Sequence, residues 1–367
     1  MSATSRATIT DVATAAGVSV ATVSKVVNQR YGVAAATIAH VLSVVEELGY
    51  ESSLVARSLR NHKTNVIGIL VADFEPYSTE VLKGAARAVQ GSGYELVAYS
   101  GGGLATRKGS WEQRYLSRLG GTLIDGAIVV TPTIIEANSE VPVVAIDAHR
   151  GMSDSLHTID ADNLEGGRLA AEHLLGLGHR RIGFISGRQD LESAHQRERG
   201  VREALAARGL GLDEALIRCG QFESEPSAIA ARELLTLPDR PTGIVAANDI
   251  SAIATLDVAH SLGIRVPEDL SVIGFDNIPE SAMTEPTLST VRQPIQEMGR
   301  LGIEVLLALM RGDTPAQRHL SLPTTLVARQ STGDAPSSVP APAPTPETTT
   351  ARASRSPRAR KASRDDN

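Results

Sequence analysis

The first fifty residues alternate apolar and polar positions with the period of an α-helix. Apolar residues recur at spacings of three and four on one side of a first short helix: Ile9, Val12, Ala13 and Ala16. Gly17 interrupts this pattern and can take the positive φ of a tight reversal. A second helix is predicted over residues 20–28, with Ser19 placed to cap it. Its inward face consists of Val23, Val26 and Val27.

Two short helices around a glycine turn are typical of a helix-turn-helix, whose second helix can enter the major groove of DNA. The outer face of that helix carries Thr22, Ser24 and Lys25, with Val20 and Ala21 at its leading end. The alternative interpretation is an ordinary helical hairpin with no role in nucleic-acid binding. The remainder of the chain favours the first interpretation.

A third helix is predicted over residues 34–48, where it would close a small bundle. Its apolar stripe consists of Ile38, Val41, Leu42, Val45 and Leu48. Residues 53–60 could form a further short helix, but that segment is isolated and too short to be stable alone in water. Residues 61–65 have the composition of a linker.

From Val66 onward the pattern changes to buried strands that alternate with helices. The predicted strands are residues 66–71, 96–99, 127–130, 141–146, 158–159, 182–185, 243–247 and 270–275. The predicted helices cover residues 81–89, 111–119, 166–177, 189–208, 227–237 and 250–262. Apolar strands separated by helices predict parallel sheets that are covered on both faces. Two successive runs of this kind predict two Rossmann-like α/β lobes.

Polar residues follow five of these strands at their carboxyl ends, which is where ligands bind to parallel sheets. They are residues 73–78, 147–149, 160–163, 248–249 and 276–277. The Asp and Asn side chains among them would supply acceptors suited to the hydroxyl groups of a ligand. The alternative role for each is capping of the next helix, and Asp249 in particular is predicted to cap a helix that begins at Ile250.

The composition is that of a globular α/β protein with two or three domains, since 42% of the 367 residues are hydrophobic and 21% are charged. The chain shows no membrane-spanning run and no signal-peptide pattern, which predicts a cytoplasmic location. The single Cys219 excludes an internal disulfide and a cysteine-based zinc finger. The P-loop, the nucleophile elbow and the H-E-x-x-H pattern are missing from the sequence, so no catalytic residue, metal or cofactor is predicted.

The net charge of −6 argues against wholesale coating of nucleic acid. Residues 1–60 carry five basic and four acidic side chains, so their attraction to phosphate is modest and a dimer would bind DNA better. Residues 334–367 are rich in Ala, Pro, Ser and Thr and include a basic run, which predicts disorder. This tail could add non-specific DNA attraction or have no role. It has no leucine heptad, which predicts a dimer and not a tetramer.

The whole chain resembles the LacI/GalR (lactose-repressor) family of bacterial transcription regulators over residues 8–332. The stretches that carry the resemblance are T-I-T-D-V-A-T-A-A-G-V-S-V-A-T-V-S-K-V-V-N, L-V-A-R-S-L-R, H-L-L-G-L-G-H-R-R-I-G-F-I, A-A-N-D, V-P-E-D-L-S-V-I-G-F-D-N and L-S-T-V-R-Q-P. It implies a small all-α helix-turn-helix domain and a two-lobed α/β domain like periplasmic binding proteins. The expected boundaries are a DNA-binding domain at 1–50, a hinge helix and linker at 51–65, an effector-binding and dimerisation domain at 66–333, and the tail at 334–367.

The resemblance implies twelve DNA-binding positions: Thr8, Thr10, Ser19, Val20, Ala21, Thr22, Ser24, Lys25, Asn28, Tyr50, Ala56 and Leu59. Val20 and Ala21 stand at the base-reading positions, where small apolar side chains can meet thymine methyl groups. Thr22, Ser24 and Lys25 are better suited to phosphates, although Lys25 could also reach a guanine edge.

In the family the hinge segment folds on DNA, paired with its copy across a dimer. Leu59 would then be the wedge in the minor groove, and Ala56 would allow close contact between the two hinge helices. The alternative for Leu59 is a plain apolar residue of a linker. Three residues depart from the family pattern and predict lower operator affinity: Ala34 in place of a Ser cap, Ile38 in place of an Arg, and Ser52 in place of a Pro.

The effector-binding positions implied by the resemblance are Tyr77, Ser78, Asp147, Arg197, Phe222, Asn248, Asp276 and Gln293. For Arg197 the alternative is an exposed charge on a helix. For Phe222 the alternative is core packing, in place of stacking on the apolar face of a sugar. Acidic and amide acceptors with one arginine and one aromatic ring suit a neutral sugar better than a nucleobase.

The expected function is a dimeric repressor of sugar-utilisation genes that binds a palindromic operator and is released by a sugar. The alternative is a co-repressed regulator that responds to a nucleobase or a sugar phosphate, and His149 and Arg150 could contact such a phosphate. A binding protein without DNA function is disfavoured by the intact motif at residues 11–28. The expected location is the bacterial cytoplasm, in association with the nucleoid.

Overall fold

The computed structural model describes residues 7–27, 31–50, 63–101, 111–132, 139–148 and 156–337. In the N-terminal part, α1 (Ile9–Ala15), α2 (Val20–Val27) and α3 (Ala35–Glu47) form a helical bundle. The short helix predicted at residues 53–60 lies outside the described residues, and so does the tail from residue 338 onward.

The bundle packs around a small core of aliphatic side chains, which consists of Val12, Ala13, Ala16, Val23, Val26, Val41 and Val44. Gly17 has a φ of 61° between α1 and α2, which confirms the predicted reversal. The predicted stripe of α3 is wrong in part, because Leu42 and Leu48 are exposed while Val44 is buried. Helix α3 has more apolar positions than two short helices can cover, so its inward face could not be read from spacing alone.

The first lobe is built on a six-stranded sheet in which every pair of neighbouring strands is parallel. Its strands are β1 (Val66–Val71), β2 (Glu95–Ser100), β3 (Gly126–Val130), β4 (Val143–Ile146), β5 (His157–Ala161) and β11 (His319–Leu322). They lie in the order β11-β5-β4-β3-β1-β2. The helices of this lobe are α4 (Pro76–Ala88), α5 (Trp111–Leu119) and α10 (Ile295–Met310).

The second lobe is built on another six-stranded sheet, in the order β12-β10-β9-β8-β6-β7. Its strands are β6 (Ile182–Ser186), β7 (Ile217–Cys219), β8 (Gly243–Ala246), β9 (Ser271–Asp276), β10 (Ser289–Arg292) and β12 (Thr325–Val327). Its helices are α6 (Asn163–Gly176), α7 (Glu192–Ala206), α8 (Ser224–Leu235) and α9 (Asp249–Ser261), with 3₁₀ turns at Glu214–Leu216 and Pro279–Ala282. Only the pair β10 and β12 is antiparallel among the described strands.

The predicted class, two α/β lobes with largely parallel sheets behind a helix-turn-helix, is confirmed. Each strand and helix predicted between residues 66 and 275 is present, with ends that differ by a few residues. Five elements had not been assigned from the pattern: β7, β10, α10, β11 and β12. Within the described residues, none of the helices has the length and apolar character needed to cross a membrane.

In the part of the chain that the structure describes, the polypeptide passes between the lobes three times, after β5, after β10 and after β11. Helix α10 follows a strand of the second sheet, but Met298, Ile303 and Leu306 bury their side chains in the core of the first lobe. Each lobe is therefore assembled from separate stretches of the chain. Because the strands of both sheets end toward these crossings, strand-end side chains of the two lobes face one another.

Glycine allows two pairs of helices to pack with their backbones in contact. In the first lobe, Gly84 of α4 faces Gly299 of α10, and a Cβ at Gly84 would lie only 1.8 Å from the carbonyl oxygen of Gln296. In the second lobe, Gly167 of α6 and Gly200 of α7 make the equivalent close approach. The first of these contacts fixes the position of α4, whose opening turn carries two of the predicted effector-binding residues.

Candidate functional site

The exposed side of α2 carries the residues predicted to read and hold DNA. Val20 is 41% exposed, and Ala21 and Lys25 are also exposed, whereas Thr22 and Ser24 are half-buried. The hydroxyl of Ser19 accepts the backbone N–H of Thr22 at 3.1 Å, which confirms its predicted capping geometry. Small apolar side chains thus lead the helix, and one cation follows near its last turn. Contact of these residues with DNA stays a prediction.

Two further predicted DNA contacts also support the bundle itself. The hydroxyl of Thr8 accepts the N–H of Asp11 at 3.3 Å and the carboxylate of Asp11 accepts the N–H of Thr8 at 2.7 Å, a capping box that lowers the pKa of Asp11. Tyr50 packs partly against the bundle core, while Thr10 is exposed. Three predicted DNA contacts lie outside the described residues, namely Asn28, Ala56 and Leu59.

Two of the departures from the family pattern change the first turn of α3. Ala34 occupies the N-cap position and makes no side-chain hydrogen bond to the helix. Ile38 is half-buried against the bundle core. Because its side chain is uncharged, it cannot replace the phosphate contact of an arginine. Ser52 lies outside the described residues. The start of α3 therefore relies on packing, without the side-chain cap that usually stabilises a helix end.

A cavity of about 460 Å³ lies between the carboxyl ends of the two sheets. All of the predicted effector-binding residues line it: Tyr77, Ser78, Asp147, Arg197, Phe222, Asn248, Asp276 and Gln293. Four of the five polar strand-end segments contribute to its wall, and the segment at residues 160–163 lies behind it. The structure thus brings the predicted residues together, while their binding of an effector stays a prediction.

Helix α4 presents Tyr77 and Ser78 to the cavity from its first turn. The carboxylate of Glu75 caps this helix and accepts the N–H groups of Tyr77 at 2.7 Å and of Ser78 at 2.9 Å. The hydroxyl of Tyr77 donates to Asp147 at 3.1 Å. Two acidic side chains therefore set the position of the first-lobe wall, one through the backbone and one through the phenol.

Arg197 is buried in α7, with only 4% of its surface exposed, so the alternative of an exposed helix charge is wrong. Its Nε donates to the Oδ1 of Asn163 at 2.8 Å and its Nη1 donates to the carbonyl of Ala247 at 2.5 Å. Nη1 also lies 3.5 Å from the carboxylate of Asp276. Since a buried cation needs partners, these contacts hold the guanidinium in one orientation at the cavity wall.

Two aromatic rings flank the Arg197 guanidinium, with centroids 3.8 Å away for Phe275 and 5.6 Å away for Phe222. Phe222 is half-buried and lines the cavity, so it combines the two alternatives of core packing and ligand platform. A Cβ on Gly187 would lie 2.0 Å from this ring. Glycine at position 187 is what leaves room for the ring to lie against the backbone.

The prediction that Asp249 caps α9 is wrong. Asn248 is the cap, since its side chain accepts the N–H of Ser251 at 2.9 Å. Its Nδ2 donates to the carbonyl of Phe222 at 3.2 Å, which links two walls of the cavity. Asp249 is the first helical residue, and its buried carboxylate accepts the hydroxyl of Thr290. Adjacent Asn and Asp are both good caps, so the sequence could not separate them.

Asp276 and Gln293 are joined at the crossing between the lobes, where Gln293 Nε2 donates to Asp276 Oδ1 at 2.5 Å. The Oε1 of Gln293 is buried and has no hydrogen-bond partner among the described residues. Because buried acceptors are nearly always paired, a donor group of a ligand at this wall would satisfy it.

The buried carboxyl groups of the site hold their protons more tightly than usual. Burial raises the pKa of Asp147, which the nearby charge of Arg197 partly offsets, and it raises the pKa of Asp276 well above its ordinary value. Asp160 lies directly behind Asp147, and burial together with the Asp147 charge raises its pKa to about 7. The buried carboxyl groups at the cavity therefore favour their neutral forms more than exposed carboxyl groups do.

Backbone strain is concentrated at this cavity. Five non-glycine residues that line it have left-handed φ values of 46° to 114°: Thr131, Asp147, Gln221, Phe222 and Asp276. Each such residue costs on the order of 1–3 kcal/mol and persists only where its surroundings hold it in place. Strain of this kind is typical of ligand sites, where it aims a side chain in a direction that relaxed backbone would not allow.

Several lining residues were not among the predicted set. Thr131 follows β3 and Arg188 follows β6, so the rule that ligands bind beyond strand ends would have found both had it been applied to every strand. Gln221 and Glu223 follow β7, which the pattern did not reveal. Within the described part of the chain, no three His, Cys, Asp or Glu side chains are placed to share a metal ion.

Two protein families match separate parts of the chain. Residues 8–53 match the family described as bacterial regulatory proteins of the lacI family. Residues 171–332 match the periplasmic binding protein-like domain. These ranges contain the helix-turn-helix and most of the second lobe.

Similar proteins extend the match to nearly the whole chain. The HTH-type transcriptional repressor PurR of Photobacterium profundum is 35% identical over 337 residues, which are 89% of this chain and 99% of that protein. The structure of the transcriptional regulator CelR-cellobiose complex is 32% identical, with a TM-score of 0.66 over 89% of this chain and 100% of that chain. The Lac repressor dimer bound to operator and the anti-inducer ONPF is 27% identical, with a TM-score of 0.77 over 90% of this chain and 100% of that chain.

These relatives are transcriptional regulators and not enzymes, and they share both the DNA-binding helices and the two lobes of this chain. The similarity includes the order of the domains as well as their folds. The chain belongs to the lacI family of bacterial regulatory proteins, as a DNA-binding transcriptional repressor with an effector-binding domain.

Proposed function

We propose that this repressor binds a palindromic operator as a dimer, controls sugar-utilisation genes, and releases DNA when a neutral sugar occupies the cavity between the lobes. The observation that carries the proposal is the cavity of about 460 Å³, lined by carboxylates, amides and aromatic rings. Such a site offers many acceptors for hydroxyl groups and an apolar surface for a sugar ring. This function would place the protein at the bacterial nucleoid, in the cytoplasm.

The charge of the cavity wall argues against a sugar phosphate. Among the described residues, five acidic side chains line it, namely Asp73, Glu75, Asp147, Glu223 and Asp276, against two arginines. His149 and Arg150, which were predicted as possible phosphate contacts, lie outside the described residues. Arg188 is paired with Asp190 at 2.6 Å, and Arg197 donates its hydrogen bonds to protein acceptors. Burial raises the pKa of Glu75, Asp147 and Asp276, so these groups resist ionisation. Each carboxylate that is ionised repels a singly charged phosphate about 8 Å away by about 2 kcal/mol at an effective dielectric constant of about 20. A neutral ligand avoids this penalty.

A nucleobase is a second candidate effector, supported by a specific feature of the lining. Tyr77 from the first lobe and Phe222 from the second lobe are both aromatic and both border the cavity. Two rings on opposite lobes could hold a planar base between them. The hydroxyl of Tyr77 already donates to Asp147, however, which constrains the angle of that ring. A neutral sugar needs only the Phe222 platform.

The DNA-binding half of the proposal rests on α2 and on dimer formation. One α2 offers a single cation and two small apolar residues to a major groove, so one copy would bind weakly. Two copies on a palindrome would combine their contacts, and the structure of the Lac repressor dimer on its operator is similar to this chain. We assign DNA binding to residues 1–50, the hinge to 51–65, effector binding and dimerisation to 66–333, and no specific role to the tail at 334–367.

The test is a selection of genomic DNA fragments by the full-length protein at one fixed salt concentration. The selection is repeated with cellobiose, with glucose 6-phosphate and with guanine. We expect one palindromic sequence to be enriched and to be released by the neutral sugar only. Release by guanine would support the second candidate, and tighter binding in its presence would identify a co-repressor. Enrichment of no sequence would contradict the proposed operator.

A pair of arginine variants separates effector binding from general damage to α7. Arg197→Lys removes the planar hydrogen bonds at the cavity wall, so we expect loss of the response to the releasing ligand. Arg202→Lys changes a half-buried arginine of the same helix that does not line the cavity and pairs with Glu198 and Glu214, and we expect it to behave as the wild type. An unchanged ligand response in Arg197→Lys would remove this arginine from the proposed site.

A further inference from the structure

Asp249 is a buried carboxylate that does not line the cavity. It nevertheless contacts the backbone segments that carry three lining residues, Asn248, Asp276 and Gln293. It is the first residue of α9 and is directly preceded by Asn248. Its side chain is fully buried. A charged group in such a place is costly unless its hydrogen bonds are satisfied, so its partners show what it holds together.

The two oxygens of this carboxylate accept hydrogen bonds from two other segments. Oδ1 accepts the hydroxyl of Thr290 on β10 at 2.6 Å. Oδ2 accepts the backbone N–H of Ile278 at 2.9 Å, and the adjacent N–H of Asn277 helps to lower the pKa of this carboxyl group, which burial raises. Residues 277 and 278 directly follow Asp276, and Thr290 precedes Gln293 by three positions. Asp249 thereby joins the backbone segments that present Asn248, Asp276 and Gln293.

The segment after β9 needs such a support because its backbone is strained. Asp276 and Asn277 have φ values of 114° and 59°, both in the left-handed region that residues with side chains seldom adopt. Two successive N–H groups that converge on one carboxylate stabilise this conformation. Arg329 adds a second support, since it donates to the side chain of Asn277 at 2.7 Å.

The strand β9 leaves space for the carboxylate. A Cβ at Gly274 would lie 2.3 Å from Oδ1 of Asp249 and 3.1 Å from Ala252. Any side chain at position 274 would therefore push the carboxylate away from Thr290. On the other side of the segment, Ile278 buries its side chain in the core of the first lobe. The network thus reaches from the second-lobe strands to the surface on which the lobes meet.

We propose that Asp249 is a positioning residue that fixes Asn248, Asp276 and Gln293 relative to one another and to the first lobe. This inference rests on the proposed effector role of the cavity. Loss of the carboxylate would release the left-handed turn at Asp276 and Asn277, and the acceptors for the ligand would no longer converge. The ligand would then bind more weakly although no residue in contact with it had changed.

The test uses the full-length dimer and two measurements. Hydrogen–deuterium exchange of the backbone is followed over residues 276–278, and cellobiose affinity is measured by calorimetry. In Asp249→Asn we expect about tenfold faster exchange in this segment and about tenfold weaker cellobiose binding. Gly274→Ala should reproduce both effects. Asp269→Asn is the matched control, since Asp269 is another nearly buried carboxylate of the second lobe but bonds to Arg265 before β9 begins.

A pair of Thr290 variants keeps the proposal testable if Asp249→Asn does not fold. Thr290→Val removes the donor to Asp249 with little change in volume, and Thr290→Ser restores it. We expect Thr290→Val to raise the exchange rate at residues 276–278 by about threefold to tenfold and Thr290→Ser to return it to the wild-type value.

Two results would overturn the positioning role. One is exchange that rises equally throughout the second lobe, and the other is a Thr290→Ser variant whose exchange after Asp276 is as fast as that of Thr290→Val. If the wild type shows no affinity for cellobiose, that result counts against the proposed sugar. The exchange measurements decide the role of Asp249 in either case.

Discussion

Asp160 shows how one residue behind the cavity can couple the site to pH. Its carboxylate accepts the N–H of Ala148 at 3.1 Å and the hydroxyl of Thr158 at 3.1 Å. Burial and the nearby charge of Asp147 raise its pKa to about 7, so the folded protein keeps this proton at pH values where the unfolded chain has lost it. Folding therefore becomes less favourable as pH rises from about 4 to about 7.

The variant Asp160→Asn should remove this dependence, because an amide does not titrate and can still accept the N–H of Ala148. We expect the unfolding free energy of the variant to rise relative to that of the wild type by about 3 kcal/mol between pH 4.5 and pH 8. Denaturant unfolding at several pH values would measure it. A difference that stays constant over this range would show that Asp160 does not titrate as described.

At the scale of residues, the sequence predicted the composition of the cavity wall better than the role of each side chain. All of the predicted effector-binding positions line the cavity. The resemblance implied every one of them, and the strand-end rule pointed independently to Tyr77, Ser78, Asp147, Asn248 and Asp276. The role of Asp249 could not be predicted, since its partners Thr290 and Ile278 are distant in sequence and adjacent only in the fold. The hydrogen bond from Arg197 to Asn163 could not be predicted for the same reason.

At the scale of elements, the contact between α4 and α10 depends on glycine. We expect Gly84→Ala to destabilise the first lobe by about 3 kcal/mol or more, because its Cβ would meet the backbone of α10 at 1.8 Å and the helices would have to separate. The first turn of α4 would move with the helix, so ligand affinity should fall as well. Thermal unfolding and calorimetry would detect the two effects.

The matched control is Gly176→Ala near the end of α6. A Cβ at this position meets nothing within 4 Å, so the change should be neutral or slightly stabilising, since alanine has a higher helix propensity than glycine. Equal stability losses in the two variants would mean that close packing is not the reason for glycine at position 84.

Elements were predicted well where burial was continuous and poorly where it was partial. Strands such as β1 and β9 are buried at every position, and the sequence shows this as an unbroken apolar run. The short strands β11 and β12 are half-exposed and carry no such run. Helix α10 was not predicted, although one of its faces is apolar and buried. It follows a strand of the other lobe, beyond residue 275, where the regular succession of predicted strands and helices ends.

At the scale of the whole molecule, we expect a dimer in solution. Several large apolar side chains are exposed on the lobes, among them Met283 at 80% and Ile229 at 58%, and a partner that covered them would remove apolar surface from water. Sedimentation equilibrium should give twice the 38.7 kDa mass of one chain. A chain that ends at residue 337 should give a dimer as well, since the tail has no leucine heptad. A mass of one or of four chains would contradict this prediction.

The fold class of the whole molecule could be predicted from the sequence, but the path of the chain between the two lobes could not. Alternating strands and helices predicted two lobes, and the strand-end rule predicted a site between them. The three crossings were beyond the pattern, because hydrophobic periodicity reports which face of an element is buried and not which sheet it joins. Gln293, which directly follows β10 at one of these crossings, was implied as an effector-binding position by the resemblance alone.

The three crossings also have a consequence for folding during synthesis on the ribosome. The helical bundle is encoded by a contiguous stretch at the start of the chain and can fold as soon as it emerges. The first lobe cannot, since α10 and β11 are synthesised after almost all of the second lobe. Until then, the surface that will receive Ile295, Met298, Ile303 and Leu306 stays open to solvent. A chain interrupted shortly before α10 would therefore hold a DNA-binding unit with neither a finished lobe nor a finished cavity to control it.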